Sequence, residues 1–190
     1  MKPTILFGGT FNPLHIGHLM IAEQASIQLG ARVVFLPSAK TPLKEGVPTE
    51  SEDKHRVAML EQALAPYPWA ELCTYEIDNT TQAPFYAIDV VQELKARGVL
   101  SPDTFYLLGG DWVVDFHKWK EPEALSQETR LVLATRNETT PFNFPHTELG
   151  NTNLGVSSSA IRSLIKNGQS YQFLVTKEVS DYLQANGLYV

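Results

Sequence analysis

Ile5-Leu6-Phe7-Gly8-Gly9-Thr10-Phe11-Asn12-Pro13-Leu14-His15-Ile16-Gly17-His18 is the stretch on which the fold turns. An apolar run that breaks into paired glycines marks a strand handing over to a tight turn, which a ligand can approach closely. Leu19-Met20-Ile21-Ala22-Glu23-Gln24-Ala25 then continues as a helical pattern. Residues at i and i+3 share a helix face, so His15 and His18 can address one object. That object would sit where unpaired backbone N–H groups and the helix dipole favour negative charge. Either the glycine pair or the histidine pair alone is commonplace. Together they predict a phosphate site.

Working outward, apolar β-branched runs alternate with helical patterns, the signature of βαβ units and a parallel sheet. Strands are expected at residues 4–7, 33–36, 72–77, 105–108 and 131–134, and helices at 17–29, 54–65, 86–97, 158–166 and 177–185. Gly30, Gly98 and Gly168 fall where helix C-caps belong. Residues 137–152, rich in Thr, Asn and Pro, are expected to form a mobile loop that could close over product. The pattern predicts a Rossmann-like, open, doubly wound α/β sheet. Residues 1–190 are expected to form one domain, with 156–190 a C-terminal helical part.

Bulk properties narrow the function. The chain has 190 residues, 43% of them hydrophobic, enough for a proper core. Its formal net charge of −6 argues against a nucleic-acid binder held by phosphate contacts. One cysteine, Cys73, excludes an internal disulfide framework and suits a reducing cytosol. Met1-Lys2-Pro3 leaves no room for a signal peptide before the first strand, and no apolar run approaches a membrane span. A cytoplasmic location is expected, with no membrane or nucleic-acid partner.

In doubly wound sheets ligands bind beyond the carboxyl ends of the strands. Three candidate motifs begin there, at Gly8, Pro37 and Gly109. A hydride-transfer site would want GxGxxG and a P-loop would want its lysine, and neither is present. Zinc would need a third ligand beside His15 and His18, but Cys73, His55, His117 and His146 lack ligand-like spacing. No metal ligand set is therefore expected.

The first stretch resembles the GGTFDPxHxGH-like element of the nucleotidylyltransferase superfamily, with Asn12 where the family usually has Asp. Val156-Ser157-Ser158-Ser159-Ala160-Ile161-Arg162 resembles its second signature, ISSTxIR. Gly109-Gly110-Asp111 resembles the GxD element, and Phe116-His117-Lys118-Trp119 follows at the family's spacing. The tail Asn186-Gly187-Leu188-Tyr189 resembles the close of bacterial nicotinate-nucleotide adenylyltransferases. The likeness spans nearly the whole chain in the right order.

That resemblance implies adenylyl transfer from ATP to a pyridine mononucleotide, with nicotinate mononucleotide preferred and Mg²⁺ bound with ATP. His15, His18, Lys44 and Arg162 are the implied catalytic residues. Gly8, Gly9, Thr10, Phe11, Gly109, Asp111, Arg136, Ser158, Ser159 and Ile161 are the implied ATP-binding set. Ala87, Trp119 and Lys44 are implied at the mononucleotide. Lys44 follows the second strand in Lys40-Thr41-Pro42-Leu43-Lys44, where the family's histidine is replaced by Leu43. The chain also departs from the family's PSYTxxT at Phe85, Ala87 and Val90, and from its Tyr at Lys120. Loss of the hydroxyl at Ala87 opens the choice between the nicotinate and nicotinamide acceptors. Three further alternatives are a phosphopantetheine transferase, a nucleotide-binding regulator without turnover, and an aminoacyl-tRNA synthetase fragment. The last lacks a KMSKS-like motif.

Overall fold

The computed structural model describes residues 2–39, 50–79, 84–134, 141–150 and 154–190. Six parallel strands form one sheet in the order β3-β2-β1-β4-β5-β6. They are β1 (Thr4–Gly9), β2 (Arg32–Pro37), β3 (Ala70–Leu72), β4 (Thr104–Gly109), β5 (Arg130–Ala134) and β6 (His146–Glu148). The order reverses between β1 and β4, which pair with each other through Thr4↔Thr104 to Leu6↔Tyr106. Such a reversal opens a crevice at the carboxyl ends of the two strands.

The strand sequences are apolar on both faces because both faces are covered. Alternate residues point to opposite sides. Ile5, Phe7, Val33, Phe35, Phe105, Leu107, Val132 and Ala134 enter one core. Leu6, Val34, Leu36, Tyr106, Leu108, Leu131 and Leu133 enter the other. The first core also takes residues of α1 (Ile16–Leu29), α2 (Glu50–Leu64), α7 (Ser158–Lys166) and α8 (Lys177–Ala185). The second takes residues of α4 (Ala87–Ala96), α5 (Gly110–Val113) and α6 (Pro122–Glu128). Gly30, Gly98 and Gly168 have φ between 60° and 71° just past α1, α4 and α7, a conformation glycine adopts without Cβ strain.

Two expectations are corrected. The strand expected at 72–77 stops at Leu72, and α3 (Tyr75–Asp78) follows. Its β-formers are overridden locally: the Asp78 N–H donates to Thr74 O at 2.9 Å, and Thr74 Oγ1 donates to Asp78 Oδ2 at 2.7 Å. The loop expected at 137–152 contains β6, which pairs with β5 from Leu131↔His146 to Leu133↔Glu148. Three residues are too few to show an alternating pattern. Residues 135–140 and 151–153 of that region lie outside the described residues.

A candidate nucleotide-transfer site at the β1/β4 crevice

The glycine turn is shaped by its own aromatic side chain. Phe11 adopts φ 48°, and its ring is 1% exposed, packed edge-on to Phe7 with centroids 5.4 Å apart. A Cβ on Gly9 would stand 2.9 Å from that ring, so the second glycine is a packing requirement. The Phe11 side chain thus belongs to the core. Only the main chain of this residue can approach a ligand.

His15 and His18 cap α1 reciprocally. His15 is the N-cap residue, and its Nδ1 accepts from the His18 N–H at 3.3 Å. The His15 N–H donates in return to His18 Nδ1, also at 3.3 Å. The rings stack with centroids 3.6 Å apart and planes 22° from parallel. Because both Nδ1 atoms accept, Nε2 is the donor nitrogen of each neutral ring. A Cβ on Gly17 would meet His15 Nδ1 at 3.0 Å, so the small residue between the histidines leaves room for the first ring.

The second signature is stitched to the first. Ser157 caps α7 by accepting from the Ala160 N–H at 3.2 Å, and its hydroxyl lies 3.1 Å from that of Ser159. Ser158 Oγ donates to Pro13 O at 2.9 Å, and Arg162 Nη1 donates to Asn12 O at 2.6 Å. The Tyr189 hydroxyl bonds Asn12 Oδ1, so the tail holds the side chain that replaces the family's carboxylate. Ile161 is fully buried in the first core, and its N–H is taken by Ser157 O at 3.1 Å. Its side chain supports α7 by packing.

Gly8, Gly9, Thr10, Ala87 and Trp119 meet in one open cleft with an empty volume of about 850 Å³. Five aromatic residues, Phe85, Tyr86, Tyr106, Trp112 and Trp119, line it. Trp119 packs edge-on to Trp112 and Tyr106, at 5.6 and 5.9 Å between centroids. The Trp119 indole nitrogen is buried with no hydrogen-bond partner among the described residues. Lys120 reaches both Asp89 oxygens at 2.8 Å and lies 5.1 Å from the centre of the Tyr86 ring. The histidine pair and Arg162 are not in the lining of this cleft. Gly109 ends β4 and is the N-cap of α5, so the capping position falls one turn residue before Gly110 and not on Asp111. The Asp111 side chain, Lys40, Lys44 and Arg136 lie outside the described residues.

Two further site residues escaped sequence reasoning. Arg56, fully buried on α2, donates to Thr10 O at 2.6 Å, to Ser38 O at 2.9 Å and to Asp53 Oδ1 at 2.5 Å. It clamps the loop after β1 to the loop after β2. Its Nε has no partner among the described residues. Glu76, on α3, lines the cleft and accepts from the Ala39 N–H at 3.1 Å. Burial pushes its carboxyl up to about 7, with the Ala39 N–H and the Arg56 charge working the other way. Burial also raises the Tyr106 phenol, and the nearby Glu76 charge adds to this. An acidic residue in a four-residue helix gave no periodic signal. Helix α6, which no expectation named, did carry a signal in Pro122 at its first turn.

A family model described as cytidylyltransferase-like matches residues 6–164. A probable nicotinate-nucleotide adenylyltransferase of Rubrobacter xylanophilus is 34% identical, over 97% of this chain and 90% of that one. Its counterpart from Enterococcus faecalis is 32% identical, over 99% and 85%. Among solved structures, Plasmodium falciparum nicotinic acid mononucleotide adenylyltransferase complexed with NaAD aligns at TM-score 0.79. That alignment covers 100% of this chain and 98% of that one, at 16% identity, a likeness of fold.

Proposed function

Because this chain belongs to the cytidylyltransferase-like family, and within it to the nicotinate-nucleotide adenylyltransferases, we propose that it transfers the adenylyl group of ATP to nicotinate mononucleotide. The products are pyrophosphate and nicotinate adenine dinucleotide, on the route to NAD. The single observation that carries this reading is the reciprocal histidine cap at the β1 turn, stitched to the second signature through Arg162 and Ser158.

The acceptor phosphate is the nucleophile. One of its oxygens bonds to the α-phosphorus of ATP as the bond from that phosphorus to the bridging oxygen breaks, and pyrophosphate leaves with the electron pair. No residue need form a covalent intermediate. The protein supplies in-line positioning and donors for the charge that builds on the transferring group. In this reading His15 and His18 present Nε2–H groups to the α- and β-phosphates. Thr10, Lys44 and Arg162 share the load. Gly8, Gly9, Gly109, Asp111, Arg136 and the α7 serines contact the nucleotide. Trp119 stacks on the pyridine ring, with Ala87 beside it at the start of α4.

Mg²⁺ bound with ATP would offset charge on the polyphosphate. Among the described residues no group of three or more His, Cys, Asp or Glu side chains is placed to hold a metal. Among the described residues no helix is long and apolar enough to cross a membrane. A cytoplasmic enzyme acting on small-molecule substrates is the corresponding proposal.

A second acceptor is favoured by one observation: Ala87 lines the cleft without the hydroxyl the family usually places there. Dinucleotide formation and pyrophosphate release should therefore be measured with ATP and Mg²⁺ against nicotinate and nicotinamide mononucleotide in parallel. Stoichiometric release with preference for the acid is expected. Preference for the amide would replace the acceptor and keep the chemistry. ATP binding without pyrophosphate release in either case would overturn the enzyme reading.

A further inference from the structure

Resting on the acceptor reading above, we propose that Glu76 is the counter-charge for the pyridinium ring and makes the cleft select an oxidised, positively charged ring over the neutral dihydropyridine. The glycosidic bond of a pyridine nucleotide makes its ring nitrogen quaternary, so the ring bears a full positive charge. Hydride addition removes it. Aromatic walls with one carboxylate suit a ring whose nitrogen is positively charged, because aromatic faces attract positive charge and the carboxylate neutralises it. The ring's own carboxylate is present in both the oxidised and the reduced form and drops out of that comparison. Tyr86, Tyr106, Trp112 and Trp119 supply those walls, and Glu76 stands among them, 8% exposed.

The surrounding charges leave this role to Glu76. Lys118 and Lys120 also line the cleft, but they pair with Asp115 at 2.6 Å and with Asp89 at 2.8 Å. Arg56, from α2, is committed to Thr10 O, Ser38 O and Asp53. From β4 the Tyr106 phenol is held protonated by burial. On and beside α3 itself, Cys73 is held as a thiol chiefly by burial, and Asp78 bonds Thr74. Glu76 spends Oε2 on the Ala39 N–H, and Oε1 has no hydrogen-bond partner among the described residues. Buried carboxyls resist ionisation, and Glu76, raised to about 7, needs a partner to be a stable anion at neutral pH. An arriving pyridinium nitrogen is such a partner.

The test compares kcat/KM for nicotinate mononucleotide and for its dihydropyridine form, in the wild type and in Glu76→Gln, from pH 6 to 8.5. Glutamine keeps an acceptor for the Ala39 N–H, so a purely structural role would be rescued. The acceptor phosphate is common to both ligands, and its titration cancels in the ratio. Wild type is expected to prefer the oxidised ring by a factor that rises roughly tenfold as Glu76 ionises, the effect of about one pKa unit of charge interaction. Glu76→Gln should show a flat, smaller ratio. A ratio that is flat with pH in wild type and unchanged in the variant overturns the proposal. The wild-type pH trend decides it even if the variant does not fold. No dinucleotide from either ring would overturn the acceptor reading instead, a distinguishable failure.

Discussion

The phosphate rim and the aromatic cleft are built in opposite ways. At the rim, the chemistry is written within a few residues: His15 and His18 cap each other, and Gly9 and Gly17 make room for the rings of Phe11 and His15. The cleft draws Gly8, Glu76, Ala87, Tyr106 and Trp119 from five separate segments, and no short motif describes it. A group whose partners are sequence neighbours leaves a motif. A group whose partners are assembled by the sheet leaves only its residue type. The rim should therefore govern turnover and the cleft should govern the acceptor, so changes in one should be silent in the other.

The largest expected effect comes from the residue that joins the two regions. Arg56→Met removes both carbonyl contacts and strands the buried Asp53 carboxylate, and breaking a buried pair of this kind costs about 3–5 kcal/mol. Urea denaturation should show that loss, and the folded fraction should be impaired toward ATP and acceptor alike. A loss confined to one substrate would mean that the clamp serves one region only.

Next is the pH dependence of stability, which belongs to the cleft alone. The folded protein holds the Glu76 carboxyl near 7, above its ordinary 4.5, so it favours the neutral form. The stabilisation this gives is complete below the unfolded value and is lost as pH rises through about 7. Wild type should lose about 3 kcal/mol relative to Glu76→Gln between pH 4 and 8 in the absence of ligand. Parallel stability profiles would show that the carboxyl is not desolvated.

A smaller effect tests the rim. Gly17→Ala places a methyl 3.0 Å from His15 Nδ1, so the ring must shift by a few tenths of an ångström. Misplacing a catalytic donor on that scale should lower kcat roughly tenfold. The acceptor KM should stay unchanged. A change in acceptor KM would show that the two regions are not separable.

The sheet was legible because four of its strands, β1, β2, β4 and β5, are continuous apolar runs bounded by glycine, proline or polar residues. Helices α7 and α8 were legible to the residue because Ser157 and Thr176 are strong N-caps. The stretch after β3 misled because Cys73, Thr74, Tyr75 and Ile77 favour strands, while Thr74 and Asp78 close a turn through their own hydrogen bonds. Arg56 was invisible because two of its partners are main-chain carbonyls, 46 and 18 residues distant, which carry no side-chain signature. Glu76 was missed because its meaning lies in what surrounds it. Ile161 stands inside a signature, and its side chain packs in the first core.

The division between rim and cleft is tested most directly by kcat and acceptor KM for His18→Ala and Trp119→Ala, measured in one assay. His18→Ala removes a donor to the transferring phosphate, so kcat should fall on the order of a hundredfold or more, with acceptor KM nearly unchanged. It also removes one arm of the cap, at a cost of about 1 kcal/mol in stability. Trp119→Ala should do the reverse, raising acceptor KM about tenfold or more while kcat at saturation stays within a fewfold. A His18→Ala enzyme that folds and keeps most of its turnover would contradict the account.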